Sequence, residues 1–593
     1  MIRLSLILRG PEQSVRSLAV QAQAATPIEQ PTVFEALTRH LLDRLVHNEA
    51  LGEEIPTRVL QLAYMFALPG VLMALYLFAA YHQPHAIGPR PFWLQISDHY
   101  VYSMYAFVVL GAVTVFEWDL LFPDLLDVFV LTSLPIGRRQ LLSARLLALA
   151  IFLTLVLLST NILGTLFFPA VADLRGMWWR HVSAHFATVA MAGAFAAALF
   201  IALQGSLLCV LGRKLFGWIS PAVQAISIVA LLTILFLTPL LCIHLRPLLE
   251  SSSIAVRLFP PFWFLGLYER LLWGSAVLPL FVPLAATAVL STIAALTLAV
   301  LTYPLAYTRR TRQLVEGNPI LKREFGFFAL FHPLLHATIL RSPQQRAIYH
   351  FIGQTLLRTS RLRLYLSLYA GAALSLALSS ILLLKIGPGH IHFGLSTWGI
   401  RTVVPIFAFL LPIGIRTALN APIGMNGGWI FLLIHGKPLP EHLQGVHRWG
   451  ILAVGLVTTS SLCVLHFITP AAQRSTTSFV TQLLLGLGLT VLLTDLFFLR
   501  FYGIPFTTTR RPSTTDLPVS FVRYSVLLPL FVLWVVNWEQ WSEVSLRHLG
   551  ITIFLLLGSH GALRSIAHLY TQRIETDASF SENLSGSRLG LQE

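Results

Sequence analysis

Apolar residues in this chain come in long blocks, and that feature decides the solvent in which it folds. A run of about 18 or more apolar residues can cross a bilayer's hydrocarbon core as a helix, and such runs recur from residue 57 to residue 570. Of the 593 residues, 55% are hydrophobic and only 11% are charged, against roughly 25% charged in soluble globular chains. A soluble protein of this length would divide into domains with polar surfaces between them, and the residues for those surfaces are missing. Lipid therefore takes the place of water. An open strand edge cannot be satisfied there, so the runs are expected to be helices.

The expected spans are 57–81, 99–116, 144–169, 182–211, 219–243, 277–306, 363–385, 397–419, 449–469, 475–499, 519–536 and 547–570, an all-α integral membrane protein with about twelve transmembrane helices. Orientation follows from the excess of Lys and Arg in cytoplasmic loops. With a cytoplasmic N-terminus, the inside segments hold Arg138, Arg139, Arg213, Lys214, Arg309, Arg310, Arg312, Lys322, Arg323, Arg341, Arg346, Arg358, Arg361, Arg510 and Arg511. The outside segments hold roughly a third as many basic residues. An even number of spans then puts both termini in the cytoplasm. The formal net charge of +15 belongs to these loops, and no nucleic-acid partner is expected. No signal peptide is evident: the apolar patch Leu4–Leu8 is short and is followed by Arg9 and Pro11. Cys209, Cys242 and Cys463 lie in or beside apolar runs without a CxxC motif, and fit small apolar side chains better than a disulfide or zinc framework.

Three segments between spans carry order of their own. In 32–52, Thr32 and Glu35 fit a capping box, and Phe34, Leu37, Leu41 and Leu45 line one face opposite Glu35, Arg39, Asp43 and Arg44. Such a helix suits the membrane surface. In 342–362, Ser342 and Gln345 repeat the box, with Pro343 at the first helical position. Each amphipathic helix precedes six spans, the positional mark of an internal duplication. The third segment, 254–275, is rich in Trp, Phe and Tyr, as interfacial segments are, and Pro260-Pro261 divides it into two pieces. The resulting organisation is a cytoplasmic segment 1–56, a six-span module 57–306, a cytoplasmic linker 307–362, a second six-span module 363–570 and a polar tail 571–593, expected to be disordered.

Several chemistries are absent from the sequence. There is no phosphate-binding GxxxxGK[ST]; the pair Gly436-Lys437 is followed by Pro438. No HExxH, GxSxG or kinase set occurs. His390 and His392, alternate residues of a short outside loop, lack a third ligand for a metal site. Span interiors read as nearly free of ionisable residues, with Asp495, Arg401, Arg416 and Arg523 near span ends and Arg564 and His185 as further exceptions. Proton-coupled carriers place carboxylates at the membrane midplane, so this scarcity points to energy supplied from outside the membrane domain, or to a purely structural membrane protein.

The inside loop after the second span runs Phe122-Pro123-Asp124-Leu125-Leu126-Asp127-Val128-Phe129-Val130-Leu131-Thr132-Ser133-Leu134-Pro135-Ile136-Gly137-Arg138-Arg139-Gln140-Leu141. It reads as a small amphipathic helix lying flat, a turn at Pro135 and two arginines. This loop, with an amphipathic helix before the first span, six spans per module and short external helices between spans five and six, resembles the permease subunits of type-2 ABC exporters. Residues 32–306 follow that order, and Pro260-Pro261-Phe262-Trp263-Phe264 with Gly266-Leu267-Tyr268-Glu269 is similar to the external re-entrant region. In the second half, Phe351–Arg358, Gly414–Pro422, Asn426–Phe431 and Ile504–Thr507 are similar to long bacterial members. The inside loop 420–448 departs from the family by its greater length and its Gly427-Gly428 pair.

The resemblance implies an export permease of the bacterial inner membrane with two fused six-span halves and no nucleotide-binding domain of its own. ATP would be hydrolysed by a cytosolic ABC ATPase, in two copies. No cofactor, metal or catalytic residue is expected on this chain, whose other partners would be membrane lipids. Asp124, Asp127, Pro135, Arg138 and Arg139 would contact the ATPase, with Pro422 and Trp429 as candidates in the second half. The acids and arginines would make charged contacts there; Arg138 and Arg139 fit ordinary positive-inside anchoring equally well. Two rivals remain open: an ion-coupled carrier with six-plus-six repeats, and a membrane enzyme acting on lipid-linked substrates. For the latter, Asp98, Asp173, Glu250 and Glu269 offer no recognisable pairing in the sequence.

Overall fold

The computed structural model describes residues 32–46, 55–82, 90–131, 133–172, 176–251, 253–316, 332–387, 390–421, 440–470, 474–499, 501, 504–506 and 516–588. The first half comprises α1 (Val33–Val46), α2 (Ile55–His82), α3 (Phe92–Phe116), α4 (Leu125–Leu131), α5 (Arg138–Ala172), α6 (Trp178–Val210) and α7 (Arg213–Ile243), then short helices α8 (Leu245–Glu250), α9 (Ile254–Leu258) and α10 (Pro260–Trp273), and α11 (Phe281–Val315). The remainder comprises α12 (His332–Thr338), α13 (Pro343–Arg358), α14 (Ser360–Ile381), strands β1 (Leu382–Gly387) and β2 (His390–Leu395), α15 (Thr397–Asn420), α16 (Pro440–Ile468), α17 (Thr476–Phe498), α18 (Asp516–Glu543) and α19 (Leu546–Arg588).

Eleven of these helices are long and apolar enough to cross a membrane. With α18, whose apolar stretch ends in the polar run Asn537–Glu543, they match the expected spans one for one. The chain is an all-α multi-pass membrane protein. Its outward faces are apolar where a soluble protein's are polar: Leu72, Leu75 and Tyr76 on α2 and Val300, Leu301 and Leu305 on α11 are exposed. In water such contiguous patches would drive aggregation; in a bilayer they are the lipid contact.

Inside, close approach depends on small residues, because lipid supplies no hydrophobic drive between helices. The stretch Ala192–Ala198 of α6 is rich in alanine. That narrow surface lets α6 pack against α3, α5, α10 and α11 together. A Cβ on Gly193 would come within 2.6 Å of Leu157, and one on Gly205 within 2.7 Å of the Thr302 hydroxyl. In the second half the central helix is α15, buried along most of its length among α14, α16, α17 and α18.

The two halves repeat one packing scheme. The contacts α1–α5, α3–α5, α3–α6, α5–α6, α3–α7 and α6–α11 recur as α13–α16, α15–α16, α15–α17, α16–α17, α15–α18 and α17–α19. The first span of each half breaks the pattern: α2 packs on α5, whereas α14 packs on α15 and on α7 of the other half. At that junction the Thr233 and Ser375 hydroxyls lie 3.0 Å apart, and Ser375 donates to the Val229 carbonyl at 3.2 Å.

Two expectations are corrected. Residues 382–385, read as the end of a span, and the loop holding His390 and His392 form an antiparallel hairpin, with Lys385 opposite His392 and Gly387 opposite His390. The two strands satisfy each other's backbone, and Leu384 and Ile386 pack on the first half's core. From 571 to Arg588 the tail, expected to be disordered, continues α19; that stretch contains no proline, and its only glycine, Gly586, lies in the last turn.

Candidate functional site

The loop after α3 is held by a clasp of charges between α1, α4 and α5. At the start of α1 the capping box is formed: the Glu35 amide donates to Thr32 Oγ1 at 3.3 Å, and the Thr32 amide donates to Glu35 Oε2 at 3.1 Å. The apolar face is buried through Leu37, Leu41 and Leu45, packed with Leu121, Phe122, Ala144, Ala148 and Phe152. This helix, suited by its sequence to the membrane surface, packs its apolar face on α5. Arg44, in the last turn of α1, thereby meets the start of α4.

There the Asp127 amide donates to Asp124 Oδ1 at 2.7 Å, capping α4. Arg44 Nη2 donates to Asp124 Oδ2 at 2.8 Å, and Nη1 bonds Asp127. From α5, Arg145 donates to Asp127 Oδ2 at 2.8 Å, to the Leu120 carbonyl at 2.9 Å and to the Phe122 carbonyl at 2.7 Å. Tyr303 of α11 donates to the Leu121 carbonyl at 2.6 Å. Buried charge costs free energy unless paired and hydrogen-bonded, and here two arginines answer two aspartates while two loop carbonyls take Arg145 Nη2. Burial pushes the Asp124 carboxyl up, but the Asp127 amide and Arg44 outweigh it and hold the carboxyl below its ordinary value. Burial likewise opposes charge on Arg44, and the two aspartates overcome it. The cleft between α1 and α5 measures only about 10 Å³, room for no more than one water, so the charges form a closed joint between the helices.

The joint separates the residues that the sequence grouped. Asp127, grouped there as a surface contact, is only 5% exposed and faces inward between Arg44 and Arg145. Asp124 remains partly exposed beside Arg44. Pro135, Arg138 and Arg139 are exposed, as are Leu125, Phe129, Val130 and Leu134, whereas Val128 and Leu131 point into the core. The outer face is thus apolar with two arginines at its edge, mounted on a helix that two arginines lock to α1 and α5. Pro422 and Trp429 lie outside the described residues. The second half has a related joint: Ser342 caps α13 by accepting from the Gln345 amide at 3.2 Å, but the Gln345 side chain does not close the box. It donates to Gln444 and accepts from Arg448 of α16 at 2.6 Å. Phe506, at positive φ, donates its amide to the Leu419 carbonyl at 2.9 Å and ties the chain after α17 to the end of α15.

At the opposite end of the first half the structure assembles a polar cluster from residues the sequence had left unpaired. His99 Nδ1 lies 2.6 Å from Glu269 Oε1, and the Tyr268 hydroxyl lies 2.9 Å from His181 Nε2 and 3.0 Å from His185 Nδ1. The rings of His99, His181 and His185 surround Phe168. Beside them Arg90 forks over Asp98 at 2.7 and 2.8 Å. In the second half, Arg401 bonds Glu539 at 2.7 Å and Glu543 at 2.8 Å. These charges gather at span ends, where the sequence places Arg401, with His185 among its named exceptions. Most of these contacts join residues far apart in sequence, which no local pattern reports; the local signals were His181 with His185 and Glu539 with Glu543, each pair four apart and so on one helical face. Among the described residues, no three His, Cys, Asp or Glu side chains converge as a metal site.

No family model, curated protein or solved structure matches the chain.

Proposed function

We propose that the chain is the membrane-spanning permease of an ATP-driven exporter, moved by a separate cytosolic ATPase that docks on the exposed face of α4 and the turn to α5. The observation that carries this reading is the Arg44–Asp127–Arg145 joint. A push on Phe129, Pro135 or Arg138 meets a helix braced to α1 and α5, so it moves a transmembrane span directly. An apolar patch rimmed by arginines suits a partner surface with an apolar centre and acidic edge. In this reading the α1 side is cytoplasmic, in the inner membrane of a bacterium, and the repeated halves supply the two sides of one pathway. Affinity purification from native membranes tests it: a stoichiometric P-loop partner, with ATPase activity dependent on the complex, is the expected result.

A second reading, an ion-coupled carrier, is favoured by the buried His99–Glu269 contact, since buried carboxylates in spanning bundles serve as ion sites. Transport driven by a proton gradient in protein-only vesicles, without ATP, would select it over the first.

A further inference from the structure

At the α13 end of the second half, α16, α17 and α19 surround a cavity of about 160 Å³. One water needs roughly 10–15 Å³ on this measure, so the space admits a polyatomic group. Its polar lining comes from Gln444, His447 and Arg448 on α16, Asp495 on α17 and Arg564 on α19. Among the described residues Asp495 is the only carboxylate lining it, and it is engaged: His447 Nε2 lies 2.8 Å from one oxygen, His560 Nδ1 bonds the other, and Arg564 Nε stands off at 3.9 Å. Arg448 is oriented by the Gln345 side chain and the Ile339 carbonyl. Two guanidinium groups thus line the cavity against a single acid that two imidazoles already engage, and the cavity favours an anion.

The rest of the wall is apolar, through Leu443, Phe498, Leu499 and Leu563. Beyond the cavity the same helices expose apolar faces, Leu456 and Val464 on α16 and Phe554 and Leu557 on α19. A cationic recess opening onto apolar rails has the division of a phospholipid, and basic pockets between transmembrane helices take anionic headgroups. We propose that this cavity binds the phosphate-bearing headgroup of an anionic membrane lipid, with its acyl chains lying along α16 and α19. Arg564, about half exposed and only loosely held by Asp495, swings onto the phosphate, while Arg448 forms the fixed wall.

Native mass spectrometry and thermal unfolding of the full chain in mild detergent test this, with phosphatidylglycerol, phosphatidylcholine and glycerol phosphate as probes. Phosphatidylglycerol is expected to be retained about tenfold more tightly than phosphatidylcholine. Arg564→Gln should abolish that preference, Arg564→Lys should keep most of it, and Arg246→Gln, an exposed arginine on α8, should leave it unchanged. Equal retention of the two lipids, or an unaltered preference in Arg564→Gln, overturns the proposal. So does stabilisation by glycerol phosphate equal to that by phosphatidylglycerol, which would make the cavity a site for a soluble anion.

Discussion

Arg145 of α5 bonds Asp127 of α4 at 2.8 Å while its second nitrogen takes the Leu120 and Phe122 carbonyls. One side chain therefore holds both the helix and the loop that delivers it, and Arg44 closes the same carboxylate from α1.

Replacing Arg145 by Met leaves a buried carboxylate with Arg44 and the Asp124 amide and two carbonyls unserved. Breaking a buried pair in this way costs about 3–5 kcal/mol, and the remaining Arg44 contact places the expected loss near the lower end. Thermal unfolding should show it, and the double change with Asp127→Asn should cost clearly less than the sum of the two.

Arg138→Gln with Arg139→Gln should behave in the opposite way. Both side chains are exposed, so stability should stay within about 0.5 kcal/mol, while ATP-driven transport falls severalfold. A matching fall in both measurements would assign these residues to the fold.

The clasp should be indifferent to pH near neutrality. Asp124 is held below its ordinary value, so its contribution is complete above the usual carboxylate range and fades only as pH falls through the depressed value. Arg44 is held above its ordinary value, so its charge persists through the basic range. Amide exchange of α1, referred to intrinsic rates, should show equal protection at about pH 6 and about pH 8, and Asp124→Asn should reduce protection at both.

Gly399→Ala should be among the most damaging single changes in the second half. Its Cβ would sit 2.0 Å from the Ser380 carbonyl oxygen and 2.9 Å from the Ile381 Cα, backbone at the corner where α14 gives way to the hairpin. Overpacking typically costs about 1–3 kcal/mol; with backbone as the obstacle the loss should reach the upper end, read as a lowered unfolding midpoint.

The spans were legible because each is a local composition, and the caps because Thr32, Glu35 and Ser342 act within one turn. The bonds of Gln345 were not legible: its spacing suited a capping box, and only the approach of α16 diverted the side chain to Gln444 and Arg448. The hairpin escaped notice because Leu382–Ile386 is apolar enough to continue a helix, and pairing with 390–395 decides otherwise. For the candidate site, the sequence identified the loop and its acids but not the direction Asp127 faces. That direction depends on Arg44, which lies 83 positions away.

The most direct test of the export reading is to purify the full chain from its native membrane in mild detergent and assay what accompanies it. The account predicts a stoichiometric P-loop ATPase whose activity depends on the complex and whose binding is weakened severalfold in the Arg138→Gln, Arg139→Gln variant. A chain that emerges alone, on which ATP has no effect, would contradict it.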